Sequence, residues 1–249
     1  VLQSFKGKEL NHVEAVLTNK QHLRKGRIHP IDILKALKTY QSGGRLGRSS
    51  KTWTPIARVV DILDKALELS FETVQPTDKV FLHAVDVTGS MSSYKVGSIG
   101  LSCCEIATTM ALATAKAERN YAIRGFSTEF KHLDITARDC CGSALRKAMY
   151  QNFGGTDASV AYDWAIAQKF YTDVFCFWTD CESWAGRRHP SQGLQEYRRK
   201  VNPNAKAVYV TLAPNRITLV DPKDPNSWDI HGFDPSAPRA IQMIAKGEV

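Results

Sequence analysis

VFLHAVDVTGSM, residues 80–91, sets an unbroken apolar run against a turn of small, oxygen-bearing side chains. The run over residues 80–87 has the pattern of a strand buried on both faces, since a strand open to water on one side alternates polar with apolar residues. Asp86 stands at its end, and Thr88 and Ser90 follow at alternate positions. Gly89 lets the backbone between them turn sharply. One loop thus offers a carboxylate and two hydroxyls. Ser, Thr and Asp are also ordinary turn formers and helix caps, so this loop alone does not make a site.

Further along, a helix is expected over residues 96–118, a strand at Tyr121–Phe126 and an edge strand at residues 130–135. Helical patterns return at residues 144–150 and 158–170. Val174–Thr179, VFCFWT, is a second wholly apolar strand, and it ends at Asp180. A helix at residues 192–200, a strand at 207–212 and a last helix at 238–245 complete the chain. Strands alternating with helices predict an α/β fold, a doubly wound and mostly parallel Rossmann-like sheet covered on both faces. Such sheets bind ligands beyond the carboxyl ends of their strands.

Two more pieces fall at that edge. Gly154-Gly155-Thr156-Asp157 precedes a helix, and Thr179-Asp180 closes a strand. The hydroxyls of Thr88, Ser90 and Thr156 and the carboxylates of Asp86 and Asp180 together form a candidate divalent-metal site. Mg²⁺ is the expected ion, because hard cations take oxygen ligands in near-octahedral geometry and keep several waters. With few charged ligands the ion stays electrophilic, and an open position suits a carboxylate or phosphate oxygen from a partner.

Composition sets the frame. The chain has 249 residues, 43% hydrophobic and 23% charged, an ordinary globular balance with room for one large or two modest domains. No apolar run approaches the length that spans a bilayer. The absence of an initiator Met and of an apolar leader is what a fragment or processed product would show. The six cysteines form no CxxC pair and no zinc-ligand spacing. Several lie in apolar runs, so they read as reduced structural thiols and favour the cytoplasm, with the nucleus as a second compartment.

The net charge of +8 is uneven: residues 1–75 hold 13 Lys/Arg against 7 Asp/Glu, and residues 76–249 hold 20 against 18. The first third reads as helical. Val13, Val16 and Leu17 give one stripe; Ile31, Ile33, Leu34 and Leu37 a second, opened by Pro30; Ile56, Val59, Val60, Leu63 and Leu67 a third. Three such helices without a closing partner suggest the end of a helical array. The boundary is expected near Pro76, giving domains 1–75 and 76–249. Lys20, Arg24, Lys25, Arg27, Lys35, Lys38, Arg45, Arg48 and Lys51 are candidate phosphate contacts, the last three in or beside the Gly-rich loop QSGGRLGRSS. Any one of them reads as part of a solvated helix face; it is as a group, with the Gly-rich arginine loop, that they suggest phosphate contacts. Arg187, Arg188 and His189 form a small cluster that reads as surface. No RNP1-type or KH-type pattern is present.

The oxygen set resembles the metal-ion-dependent adhesion site of von Willebrand factor A domains, whose motif is Asp-x-Ser-x-Ser followed by a distant Thr and a distant Asp. Thr88 replaces the first Ser and keeps the hydroxyl. The flanks resemble a narrower group. GRIHPIDILKALKTY, the stretch from Trp53 through the metal loop, GGTDASVAYDWA, DVFCFWTDCESWAGRRHPSQGLQEYRRK and DIHGFDPSAPRAIQMI are similar to the C-terminal half of the Ro ribonucleoprotein autoantigen (TROVE) family. That resemblance implies a von Willebrand A domain closing a ring of HEAT-like helices. Residues 1–75 would then be the ring's last helices. It also implies binding of small noncoding Y or Y-like RNAs and misfolded RNAs in RNA quality control.

No catalytic set stands out. Asp86 and Asp180 lack a neighbouring His or Glu as base, His83 reads as a core residue, and Cys181 has no assignable partner. Asp163 and Glu182 read as a helix-surface and a loop carboxylate. The expected role is non-enzymatic: an RNA-binding component of a Ro-type ribonucleoprotein. The alternative is a metal-dependent module that recruits a protein through an acidic ligand.

Overall fold

A computed structural model describes residues 7–44, 52–96, 100–149, 154–180, 185–213, 219–233 and 237–249. The chain divides into two compact units: residues 1–75 with 97–101, and residues 76–96 with 102–249.

The first unit is helical: α1 (Lys8–Leu17), α2 (Lys20–Lys25), α3 (Pro30–Gln41) and α4 (Ala57–Ser70). The stripe expected on α3 is core; of that expected on α4, Val59, Leu63 and Leu67 are buried, joined by Ile62 and Ala66, while Ile56 and Val60 are half-buried. Ile31, Ile33, Leu34, Leu37 and Tyr40 face Val59, Ile62, Leu63, Ala66 and Leu67, all buried. The stripe expected on α1 is not core. Leu10 is its buried residue, while Val16 is 38% exposed. Trp53 and Tyr40 stack, and the indole N–H donates to the Tyr40 carbonyl at 2.8 Å. Gly43 has φ +65°, and a Cβ there would lie 2.6 Å from the Trp53 carbonyl oxygen; glycine fits both demands.

The second unit is built on a six-stranded sheet ordered β3-β2-β1-β4-β5-β6. The strands are β1 (Phe81–Asp86), β2 (Tyr121–Phe126), β3 (Phe130–His132), β4 (Val174–Thr179), β5 (Lys206–Thr211) and β6 (Ser227–His231). All neighbours are parallel except β2 with β3, an antiparallel edge pair. This is the doubly wound α/β sheet read from sequence. β1 and β4 are buried at every residue, as strands sandwiched between helical layers must be. β6 is partly exposed along its length and carries no apolar run, which is why its sequence did not announce it.

The second unit's helices are α5 (Gly89–Ser93), α6 (Cys103–Ala117), α7 (Cys141–Met149), α8 (Ser159–Ala167), α9 (Pro190–Lys200) and α10 (Ala237–Lys246). α6 starts seven residues later than expected. Ser102 caps it and forms a capping box with Glu105, and the chain before it makes the Lys95–Ser102 bridge. α6 is buried on nearly every side between the sheet and α7. α8 and α9 contribute to an aromatic core with the sheet, where Tyr162, Phe175, Phe177, Tyr197 and Tyr209 interlock. The hydroxyls of Tyr162 and Tyr209 meet at 2.6 Å, satisfying each other. Cys103, Cys104, Cys141 and Cys176 are buried and Cys140 is exposed, all five free; Cys181 and Glu182 lie outside the described residues. No helix among the described residues is long and apolar enough to cross a membrane.

His83 confirms its core reading. It is buried, stacks between Phe81 and Trp178, and accepts the Trp178 indole N–H on Nδ1 at 3.0 Å. Burial holds its pKa down at about 3. The unfolded chain therefore takes up a proton below the ordinary imidazole pKa while the fold does not, so stability falls with pH below that point. In His83→Asn, whose oxygen still accepts from Trp178, the loss between pH 7 and pH 5 should shrink by about 2 kcal/mol in urea titrations. Gly193 of α9 abuts Tyr162, and an added Cβ would lie 2.8 Å from the ring. With that ring fully buried, Gly193→Ala should cost about 1–3 kcal/mol in the same assay.

Candidate metal centre

The sheet order fixes where a ligand can enter. From β1 the chain steps to β2 and β3 on one side, then crosses to β4 on the other. The carboxyl ends of β1 and β4 therefore flank the switch point where doubly wound sheets open a crevice. Asp86 ends β1 and Asp180 follows the last residue of β4. Both are buried.

Asp86 organises the near side. Its Oδ1 accepts the Thr88 amide at 2.9 Å and the Thr88 hydroxyl at 2.7 Å; its Oδ2 accepts the Thr179 hydroxyl at 2.7 Å. Thr88 Oγ1 lies 3.2 Å from Ser90 Oγ, so the expected trio of side chains is gathered in one place. Thr88 precedes α5, and the loop tightens directly into that short helix. The threonine that departs from the resembled motif makes the hydroxyl contact a serine would make.

Electrostatics set this site apart. Burial raises the Asp86 pKa to about 6, although three hydrogen bonds to the carboxylate oppose it; the nearby Asp180 adds to the rise. Asp180 Oδ1 is buried without a hydrogen-bond partner among the described residues. A carboxylate oxygen in that position is costly unless paired with positive charge. Cys103, first residue of α6, feels the same field: burial, then Asp180 and Asp86, push its thiol up to about 12. The donor set is carboxylate and hydroxyl oxygen, the chemistry of a hard cation. Among the described residues no three His, Cys, Asp or Glu side chains group to hold a metal, so hydroxyls are integral to any such site here.

Thr156 is buried in the loop before α8, and its carbonyl accepts the Ala185 amide at 3.0 Å. Asp157 is part of the helix start instead: its Oδ1 takes the Ser159 amide at 2.8 Å and hydroxyl at 2.7 Å. Sequence reasoning passed over Thr179 as a partner of Asp86. Its position immediately before Asp180 was the available signal.

The basic residues divide. Arg24, Lys25 and Arg27 are exposed at the C-terminal end of α2 and make no ion pair among the described residues. Arg27 sits at φ 49°, a conformation few non-glycine residues adopt. Lys20 is paired with Glu72 at 2.8 Å, and Lys35 and Lys38 are half-buried. Arg45, Arg48 and Lys51 lie outside the described residues. The Arg187–His189 cluster is not a uniform basic surface: Arg188 is paired with Asp163 and Glu196, and His189 accepts the Ser191 amide to cap α9.

Comparison with known proteins agrees with this architecture. A family model described as the Ro60 von Willebrand factor A (vWA) domain matches residues 80–245. The protein named "RNA-binding protein RO60" from Deinococcus radiodurans is 38% identical over 234 residues, 94% of this chain and 44% of its own length. The Caenorhabditis elegans protein of the same name is 31% identical across 100% of this chain and 39% of its own. The crystal structure of the Deinococcus radiodurans RO (RSR) protein superimposes with a TM-score of 0.90 at 37% identity, covering 98% of this chain and 49% of that one. The chain thus spans about half the length of these relatives, or somewhat less. With the family model matching two thirds of the chain and a relative 38% identical over 94% of it, the chain belongs to the Ro60 von Willebrand factor A family.

Proposed function

We propose that this chain is part of a non-enzymatic, RNA-binding Ro-type ribonucleoprotein. The carrying observation is that relatives named as RNA-binding proteins match nearly the whole chain, including the helical unit, at 38% and 31% identity. In this reading residues 1–75 are the closing helices of a HEAT-like ring, and the bound RNAs are small noncoding Y-like and misfolded species in RNA quality control. Arg24, Lys25 and Arg27 fit phosphate contacts, being exposed cations without carboxylate partners among the described residues. Arg45, Arg48 and Lys51 extend the same charge in sequence. The buried thiols support a cytoplasmic protein, with the nucleus as a second compartment.

The second reading concerns the strand ends. We propose that Asp86, Thr88, Ser90, Thr156 and Asp180 hold a divalent cation, Mg²⁺ first among candidates. The bound ion would supply a Lewis-acidic position for a partner's carboxylate. The buried Asp180 Oδ1, without a donor among the described residues, favours this reading, as does the cost of keeping Asp86 anionic. The two readings are compatible, since a metal-borne protein partner and an RNA use different parts of the chain.

Each has a direct test. Fluorescence anisotropy with a structured RNA bearing a single-stranded 3′ end should show salt-dependent binding that survives EDTA. Neutralising Arg24, Lys25 and Arg27 together should flatten the slope of log K against log salt by about 2–3. Binding no tighter than to a charge-matched control would move the RNA surface out of this chain. For the metal, Mg²⁺ or Mn²⁺ should raise the thermal midpoint at pH 7.5. Because the metal-free Asp86 carboxyl takes up its proton near pH 6 and only its anion ligates, the shift should fade as pH falls to 5. Asp86→Asn and Asp180→Asn should abolish it.

A further inference from the structure

The segment that follows the Asp180 loop returns to the loop bearing Thr156. The Ala185 amide donates to the Thr156 carbonyl at 3.0 Å. Gly186 then lies so close to Asp157 that a Cβ would stand 2.5 Å from Oδ1 and 2.8 Å from Cγ. Asp157 has little freedom to yield. Its amide donates to the Ser127 carbonyl at 2.9 Å, and its Oδ1 already holds the start of α8 through the Ser159 amide and hydroxyl. Two residues on, the Arg188 guanidinium is gripped between Asp163 of α8 and Glu196 of α9. Glu196 is itself fixed by Lys200 at 2.6 Å. His189 begins α9 as its cap.

The order of these contacts gives them a common purpose. Thr156 stands just before the first turn of α8, and Arg188 pairs with Asp163 on that same helix. We propose that Arg188 is a positioning residue for the metal centre: its ion pairs with Asp163 and Glu196 keep Ala185 and Gly186 seated on Thr156 and Asp157, and so set the spacing between the Thr156 and Asp180 halves of the site. The inference rests on the metal reading above. A small cation that demands near-octahedral oxygens is sensitive to such spacing. Ion pairs that stay in partial contact with solvent, as these do, add little to global stability, so a structural role and a positioning role separate experimentally. Groups behind the ligands of a metal site commonly tune its affinity by about tenfold or more.

The test uses Mn²⁺ as probe, with affinity read by electron paramagnetic resonance or calorimetry. Arg188→Gln should weaken Mn²⁺ binding about tenfold, and Arg188→Lys should recover part of the loss. In a Thr156→Ala background Arg188→Gln should add nothing, since both act through one ligand. In the metal-free protein, hydrogen exchange at the Asp157 amide should quicken in Arg188→Gln while the thermal midpoint barely moves. Unchanged Mn²⁺ affinity in Arg188→Gln, or a loss equally large in the Thr156→Ala background, would overturn the positioning role and leave the metal reading standing. A wild-type chain that binds no Mn²⁺ overturns both.

Discussion

The buried carboxylate of Asp86 is the constraint on which the second unit turns. A charge at the end of a central parallel strand needs donors, and the nearest are supplied from two directions: the Thr88 amide and hydroxyl from its own loop, and the Thr179 hydroxyl from the neighbouring strand. The second of these reaches across the point where strand order reverses, so one side chain ties together the two strands that define the crevice. Even so, burial outweighs the donors and leaves the group poorly disposed to be charged. Asp180 compounds the problem with a buried oxygen that finds no donor among the described residues. A fold that spends stability in this way at a ligand-binding edge has the character of a functional site rather than of a core.

Much of this was legible because the central strands are unusually plain. Residues 80–87 and 174–179 are apolar without interruption, and only a strand covered on both faces has use for that pattern. The oxygen-bearing loops follow directly, so the candidate side chains could be nominated from their places alone. What stayed hidden has physical reasons. β6 lies at an edge with mixed polarity, and an edge strand takes its pairing from a neighbour rather than from its own hydrophobic pattern. α5 is too short to show a period. Thr179 looked like the last residue of a strand, and its hydroxyl acquires meaning only from the strand beside it. Arg188 looked like one more surface cation because both of its carboxylate partners are distant in sequence.

Two helices begin with the same uncommon device. His29 before Pro30 and His189 before Pro190 each occupy the cap position, and each ring accepts an amide two residues on through Nδ1. Proline at the first helical position loses nothing by lacking an N–H. Histidine does what Ser, Thr, Asp or Asn ordinarily does there, on condition that Nδ1 is unprotonated. For His29 burial secures that condition by lowering its pKa to about 4. The pair His-Pro is therefore a helix-start signature in this chain.

The pinch between Gly43 and Trp53 has an evolutionary consequence. The two residues meet through the Trp53 amide and the Gly43 carbonyl at 3.1 Å, and the indole is independently pinned to Tyr40. Whatever chain runs between them starts and ends at fixed points that do not depend on its length. Doubling such a stretch adds only about 0.6 kcal/mol of closure entropy. Insertions and deletions among homologues should therefore collect between these two positions while α3 and α4 keep their register, leaving a place where lineages can vary the reach of one segment without disturbing the scaffold beneath it.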